Sequence, residues 1–307
     1  MKIDISVCMI TYNHSRYIKK AIQGVFLQKT NLSIEFVISD DCSTDNTVEI
    51  IKEELKSIPD RFIINFIERN KNVGVNQNFI NALNVCKGDY IAICEGDDYW
   101  MDENKLDIQY NFLSKNKQFI MSFHDGYIVN DFVVTDKMIL NQSTKRDVNY
   151  HDLATVCFTL PTLSVFFKNI INYNLPYQMY SVTNCDNFLF LYLTKNGDAH
   201  YHPEIKSVYH VYHEGGIWSM KSMLNRSIKS YNTYRLAYQC FKDRRLLIPM
   251  YNFSTSIIIY SIKEKKYLLS IKYYLNILLI MVSYPKIINL FMSKQLKFIL
   301  KQFNNKH

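Results

Sequence analysis

Four times in its first hundred residues, the chain runs through a short apolar segment, ends it in polar residues, and begins a stretch of helical period. The apolar segments are residues 3–10, 34–39, 62–67 and 90–94. Each is short enough to be a strand rather than a helix. Between them, residues 17–27 carry Tyr17, Ile18, Ala21, Ile22, Val25 and Phe26 at helical spacing. Residues 47–55 follow Ser43, Thr44 and Asp45, which suit a helix N-terminus. A third helix is expected from the turn at 70–74 to about Val85. Strand–helix alternation of this kind predicts an α/β fold, a parallel sheet with helices on both faces.

In such sheets ligands gather beyond the carboxyl ends of the strands. Tyr12, Asp40, Asp41, Asn72, Asp97 and Asp98 all fall at that edge. Glu95, Asp97 and Asp98 put three carboxylates within four residues. Carboxylates that close repel one another unless a cation or a hydrogen-bonding shell neutralises them. Magnesium or manganese takes oxygen ligands, commonly one or two protein carboxylates plus substrate phosphates. An acidic cluster beyond a buried strand therefore reads as a metal–diphosphate site. The alternative is a solvated acidic turn leading into the next helix, to which Asp102 and Glu103 would also contribute.

Four segments in order also carry a resemblance: Ser6 to Asn13, Ile38 to Thr47, Asn72-Val73-Gly74 with Asn78, and Gly88 to Ile91 with Glu95 to Asp98. They resemble the successive motifs of family-2 glycosyltransferases, whose GT-A fold is a Rossmann-like, mostly parallel sheet. The likeness covers residues 3–110 and is not specific to a sugar. It implies a nucleoside-diphosphate sugar donor, a bound divalent metal (manganese or magnesium), and inversion at the anomeric carbon by an acceptor hydroxyl. It also implies a donor pocket built from Thr11, Tyr12, Asn13, Asp40, Asp41, Asn72, Gly74 and Asp97. In that pocket Tyr12 packs on the base, Asp41 hydrogen-bonds it, and Asp97 lies on the sugar and ribose side. Asp98 would ligate the metal. Glu95 departs from the family pattern.

Beyond residue 101 a helix is expected at 106–113, a short strand at 119–123, and a loop-rich, polar stretch over 124–152. Residues 161–167 look like the family's acceptor-side strand. Thr183 to Asp186 precedes an apolar helix at 188–193, which Asn196-Gly197 stops. An acid there can simply favour a helix N-terminus. The resemblance places the catalytic base here, and Asp186 matches its second position while Cys185 does not match the first. His213, within His213-Glu214-Gly215-Gly216, resembles a segment whose histidine reaches the diphosphate or metal. His210 and His213 would lie on opposite faces of a strand, which argues against zinc.

After Ser219 the pattern turns helical: residues 223–241, 257–279 and, beyond Pro285, a basic amphipathic helix at 286–303. Residues 221–307 hold 16 Lys and Arg against Asp243 and Glu264, net +14, which leaves residues 1–220 at net −6. This split predicts a catalytic domain over 1–220 and a basic helical appendage over 221–307. The appendage suits an anionic membrane surface, or packs as a brace or homodimer contact. No recognition motif accompanies the charge, so nucleic acid is not expected. The seven cysteines are odd in number and never spaced CxxC. That fits a reducing, cytoplasmic setting, with the protein peripheral on the inner face of the membrane. Residues 1–4 lead directly into a strand with no signal-peptide pattern, and no apolar run reaches the roughly 18 to 20 residues of a membrane span.

The function expected is an inverting, metal-dependent glycosyltransferase acting on a glycan or lipid-linked acceptor in surface polysaccharide assembly. A sugar nucleotidyltransferase would show an early Gly-rich phosphate loop, and residues 10–20 contain no glycine. A non-catalytic nucleotide-sugar-binding module would have lost its acids, whereas Asp97, Asp98 and Asp186 are present. A processive synthase would carry Gln-x-x-Arg-Trp, which neither Trp100 nor Trp218 provides.

Overall fold

The computed structural model describes residues 2–130, 133–156, 160–171, 175–205, 208–212 and 222–289. The chain forms two compact units, one of Met1–Leu153 with Cys157–Met220 and one of Ala154–Val156 with Lys221–His307.

In the first unit the expected alternation is β1 (Ile5–Thr11), α1 (Ile18–Phe26), β2 (Ile34–Asp40), α2 (Thr47–Glu54), β3 (Phe62–Glu68), α3 (Val75–Val85) and β4 (Tyr90–Ile93). It continues with β5 (Tyr99–Trp100), α4 (Lys105–Lys115), β6 (Phe119–His124), β7 (Gly126–Asn130), β8 (Val133–Met138) and α5 (Tyr150–Val156), of which Ala154–Val156 belong to the second unit. The last elements are β9 (Phe166–Lys168), α6 (Cys185–Thr194), β10 (Asp198–His202) and β11 (Val208–Tyr212). Seven strands form the central sheet in the order β10-β6-β9-β4-β1-β2-β3. Only β9 runs against its neighbours. A smaller sheet, β5-β11-β7-β8, lies apart from it in hydrogen bonding.

Side chains alternate across the sheet, so each face has its own helices. Ile5, Val7 and Met9 of β1 stand in register with Ile34, Phe36 and Ile38 of β2. These six pack with Ile18, Ile22 and Val25 of α1 and with Leu106 and Leu113 of α4 in one buried cluster. Burying each such side chain contributes roughly 1.5–3 kcal/mol. Ser39 points the other way and meets α3: its hydroxyl donates to Asn78 Oδ1 at 2.6 Å, and Asn78 Nδ2 donates to the Ser39 carbonyl at 2.9 Å. The two-faced arrangement follows from β1 and β2 being buried along their whole length.

Three expectations need correction. Residues 124–152 are not loop alone: β7 and β8 pair as an antiparallel ribbon within them. The polar run Thr135, Asp136 and Lys137 in β8 hides the strand from a hydrophobicity reading. Residues 161–167 are a 3-10 turn at Thr162–Ser164 followed by the short β9. The helix expected at 257–279 is two helices, described next.

The second unit contains α7 (Met223–Phe241), α8 (Leu247–Lys263) and α9 (Tyr267–Ser283). Ser222 caps α7 through the Asn225 amide. Tyr231 meets Tyr273 edge-on at 5.0 Å, joining α7 to α9. α8 and α9 part at Lys265, whose φ of 58° is left-handed, and the Ser261 and Ser270 hydroxyls bond at 2.6 Å across the turn. Neither glycine nor proline marks that break, so the sequence pattern runs straight through it. The basic helix expected at 286–303 lies beyond the described residues from position 290 onward. No helix among the described residues is long and apolar enough to cross a membrane.

Candidate active site

Register brings the expected site residues to one edge. Thr11 is opposite Asp40, and Asp40 is opposite Glu68, so β1, β2 and β3 end together. Past the end of β4, the Cys94 amide bonds to the Cys8 carbonyl and the Gly96 amide to the Ile10 carbonyl. This carries Glu95 to Asp98 alongside the end of β1. Because β9 is antiparallel to β4, with Ala92 opposite Phe166, the residues before β9 reach the same edge. Thr162 comes to it by that route.

The two loops after β1 and β2 lock together. Asn13 has a left-handed φ of 55°, and its Oδ1 accepts the Thr44 amide at 2.7 Å, while its own amide donates to Ser43 Oγ at 2.9 Å. Cys42 is also left-handed, φ 64°, which costs a non-glycine residue about 1–3 kcal/mol. Asp40 is fully buried and accepts the Ser43 amide at 2.8 Å and the Ser43 hydroxyl. Tyr12 stands out of this frame, 42% exposed, with its ring free to receive a flat partner.

Asp41 is buried, and its two carboxylate oxygens accept the amides of Val73 (2.8 Å) and Gly74 (2.9 Å). Asn72 Oδ1 also accepts the Gly74 amide, at 3.0 Å. Gly74 adopts φ +88° at the start of α3, a conformation that needs glycine. Thus Asp41, Asn72 and Gly74 form one unit in which the aspartate holds the loop before α3 in place.

On the acidic loop Asp98 is fully buried, while Glu95 and Asp97 are part-exposed. A histidine that sequence reasoning passed over joins them. His14 Nε2 lies 3.8 Å from Asp97 Oδ2. Its Nδ1 and the Thr11 hydroxyl are buried without a hydrogen-bond partner among the described residues. Both face Gly96: a Cβ added there would lie 2.9 Å from His14 Nδ1 and from Thr11 Oγ1. Only glycine lets the acidic loop approach β1 this closely. His14 gave no signal in the sequence beyond following Asn13 at a strand end.

Among the described residues no group of three or more His, Cys, Asp or Glu side chains is placed to hold a metal by itself. The donor expected to serve one, Asp98, is a buried carboxylate, a hard oxygen ligand. It fits a cation that completes its shell with diphosphate and water. His213 lies outside the described residues.

Asp186 occupies the first turn of α6. Its Oδ2 accepts the Thr162 hydroxyl at 3.2 Å and its Oδ1 the Asn187 amide at 2.8 Å. Burial raises its carboxyl above the ordinary range, and those two hydrogen bonds only partly oppose the shift. A carboxylate so tuned is a better proton acceptor near neutrality.

A buried polar network braces the acidic loop from below. The Trp100 indole donates to the Leu163 carbonyl at 2.9 Å. Lys105 is fully buried, its Nζ 4.1 Å from the Trp100 ring centroid and donating to Gln109 Oε1 at 2.7 Å. Gln109 Nε2 donates to Ser122 Oγ and to the Ser164 carbonyl. Burial lowers the Lys105 pKa to about 7, and burial, with Lys105 nearby, holds His124 well below its usual value.

The fold agrees with comparisons to known proteins. The model of Glycosyl transferase family 2 matches residues 6–172, more than half of the chain. An uncharacterized protein of Mycobacterium tuberculosis is 33% identical over 70% of this chain and 60% of its own length. The chain thus spans less than two thirds of that relative. The UDP-Glc:alpha-D-GlcNAc-diphosphoundecaprenol beta-1,3-glucosyltransferase WfaP of Escherichia coli is 29% identical over 71% of this chain and 80% of its own. Among solved structures, the mannosyltransferase PcManGT of Pyrobaculum calidifontis, in complex with GDP-Man and Mn2+, superposes with a TM-score of 0.60 at 14% identity. That match covers 86% of this chain and 76% of the other. TarS 1-349 of S. aureus, in complex with UDP-GlcNAc, gives 0.58 at 14% identity over 89% of each chain. Those two likenesses establish the GT-A type of fold, and the match to the family model places the chain in its family. The chain belongs to glycosyl transferase family 2.

Proposed function

We propose that the protein is an inverting glycosyltransferase that moves a sugar from a nucleoside-diphosphate donor to an acceptor hydroxyl. The observation that carries this reading is the meeting, at one sheet edge, of the Tyr12 and Asp41 loops, the acidic loop at Asp97 and Asp98, and the 162–186 pair. Two different substrates can be aligned there, one from each side.

In this reading Tyr12 stacks on the nucleotide base. Asp41 shapes the pocket by fixing residues 73–74 and has lone pairs left for the base. Asp40, Asn13 and Thr11 hold the surrounding loops, and Asp97, steadied by His14, faces the ribose and sugar. Asp98 would hold a divalent cation, manganese or magnesium, with His213 as a further ligand, and such an ion would supply positive charge to offset that on the departing diphosphate.

Asp186 takes the proton of the acceptor hydroxyl as its oxygen bonds to the anomeric carbon. The sugar–phosphate bond breaks on the opposite face, and the bonding pair leaves with the diphosphate. The Thr162 hydroxyl orients the Asp186 carboxylate for this transfer.

The relatives' names suggest an acceptor class. The E. coli relative is named for a diphosphoundecaprenol acceptor, and a Bacillus subtilis relative for putative teichuronic acid biosynthesis. We place this protein in the same kind of work, adding a sugar to a lipid-linked glycan on the cytoplasmic side of a membrane.

A thermal-shift panel of nucleoside diphosphates, with and without manganese, tests the donor side. A ligand that binds only the native state raises its melting temperature. At least one diphosphate is expected to do so, more strongly with manganese. No shift with any of them removes the reading.

A further inference from the structure

The second unit has an apolar surface that the proposed reaction does not use. Helix α9 buries Ser270, Tyr273, Ile277 and Ile280 along one side. Its other side exposes Leu268, Ile271, Leu275, Leu278, Leu279 and Val282, with Leu268 at 85% and Val282 at 81%. Their spacing of three and four residues puts all six on one continuous helix face. A face of leucine, isoleucine and valine left in water is far from the scattered single apolar residues of an ordinary surface.

The surroundings of this stripe identify its occupant. Lys263 and Lys265 are exposed at the N-terminal end of α9, Lys272 is exposed on it, and Lys286 is exposed beyond its C-terminal end. Exposed Tyr267 and Tyr274 lie along one border. Acidic partners are scarce, since residues 221–307 hold only Asp243 and Glu264. An apolar helix face rimmed by lysines and tyrosines matches the boundary between acyl chains and anionic headgroups. There the leucines enter the hydrocarbon and the lysine tips reach back to phosphate. A second copy of this chain fits less well, because joining two such faces brings together two units of net +14.

We propose that α9 lies flat in the surface of an anionic membrane, inserting the face that carries Leu268, Leu275 and Leu279. This identifies the element responsible for the membrane placement suggested above, and it rests on that reading only for its biological purpose. The contact is assigned to α9, inside the described structure.

The test uses the full chain and vesicles of phosphatidylcholine with or without phosphatidylglycerol. Wild-type protein is expected to co-sediment with the anionic vesicles at low salt and less well at high salt. It should bind the zwitterionic vesicles much more weakly. Leu268→Asp combined with Leu275→Asp should weaken anionic-vesicle binding by roughly tenfold or more. Both positions are exposed, so the fold is kept, and an unchanged circular-dichroism spectrum and melting temperature in the same variant verify it. Lys265→Gln with Lys272→Gln should reduce binding and flatten its salt dependence. Wild-type protein that ignores anionic vesicles at low salt overturns the proposal. So does a double-aspartate variant that sediments like wild type. A wild-type dimer that the double-aspartate change splits, with vesicle binding unaltered, assigns the face to a second copy instead. Vesicle binding without any nucleotide shift would leave this inference standing and remove the proposed function.

Discussion

Replacing Lys105 with methionine tests the network under the acidic loop, and the magnitude can be worked from the structure. The amine is fully buried with its pKa lowered to about 7, against 10.5 for an ordinary lysine. A depressed folded-state pKa means that the unfolded chain binds more protons than the native one between those two values. Stability must therefore rise with pH through that window, and the cost of burying Lys105 is greatest below about pH 7. Linkage with these pKa values gives a cost of about 4 kcal/mol at pH 7.5, falling to about 2 kcal/mol at pH 9. Lys105→Met removes that cost and keeps a side chain of similar length, but leaves Gln109 Oε1 without its donor. The lost hydrogen bond costs about 1–3 kcal/mol. The variant should thus be more stable than wild type by about 1–3 kcal/mol at pH 7.5, an advantage that shrinks by about 2 kcal/mol by pH 9. Urea titrations from pH 6.5 to about 9.5 read this directly. Parallel stability curves for the two proteins would show that Lys105 does not titrate in the window and refute the reasoning.

The other predictions concern the reaction. Asp186→Asn should lower kcat by about 10²–10⁴ with donor affinity kept, since an amide cannot accept the proton; a collapse of donor affinity would assign Asp186 to the nucleotide pocket. Because burial raises the Asp186 carboxyl, wild-type kcat should fall on acidification at a pH above the ordinary carboxylate range, and Asp186→Asn should erase that limb of the profile. Asp98→Asn, or excess chelator on wild type, should abolish transfer with the fold intact by circular dichroism; full activity in either case rules out the metal role. Asp41→Ala strands the amides of Val73 and Gly74. It should cost about 1–3 kcal/mol in urea and weaken nucleotide binding by calorimetry; unchanged affinity would separate that loop from the pocket.

Much of the sheet edge that carries the candidate site was legible in the sequence for a local reason. Each of β1, β2 and β4 is a mostly apolar, buried run, and the polar residues that follow it leave the core together. Tyr12, Asp41, Asp97 and Asp98 are found by that rule alone. What escaped depends on contacts between distant segments. His14 becomes notable only because Gly96 lets the acidic loop press against it. Thr162 becomes a partner of Asp186 only through the reversed direction of β9, which no local pattern announces. Cys42 has a left-handed backbone that its residue type does not suggest, and Lys265 breaks a helical pattern for the same reason. The buried Lys105 reads in sequence as one more surface lysine at a helix start; its burial follows from Trp100 and Gln109, which come from separate turns of the chain.

The reversal of β9 also fixes something that side chains could not. The Ile93 amide bonds to the Val165 carbonyl, and the Trp100 indole to the Leu163 carbonyl, so the end of β4 and the start of β9 share one backbone seam. In the proposed reading, donor-handling residues leave that seam on one side and the Thr162–Asp186 pair on the other. The span between reacting groups is then a property of sheet geometry, insulated from the length of the 124–160 excursion that separates the two in sequence. Such an excursion can be lengthened, shortened or reshaped to admit a different acceptor while the seam keeps its spacing. Grafting that segment between family members should accordingly change which hydroxyl is glycosylated before it changes how the donor is held.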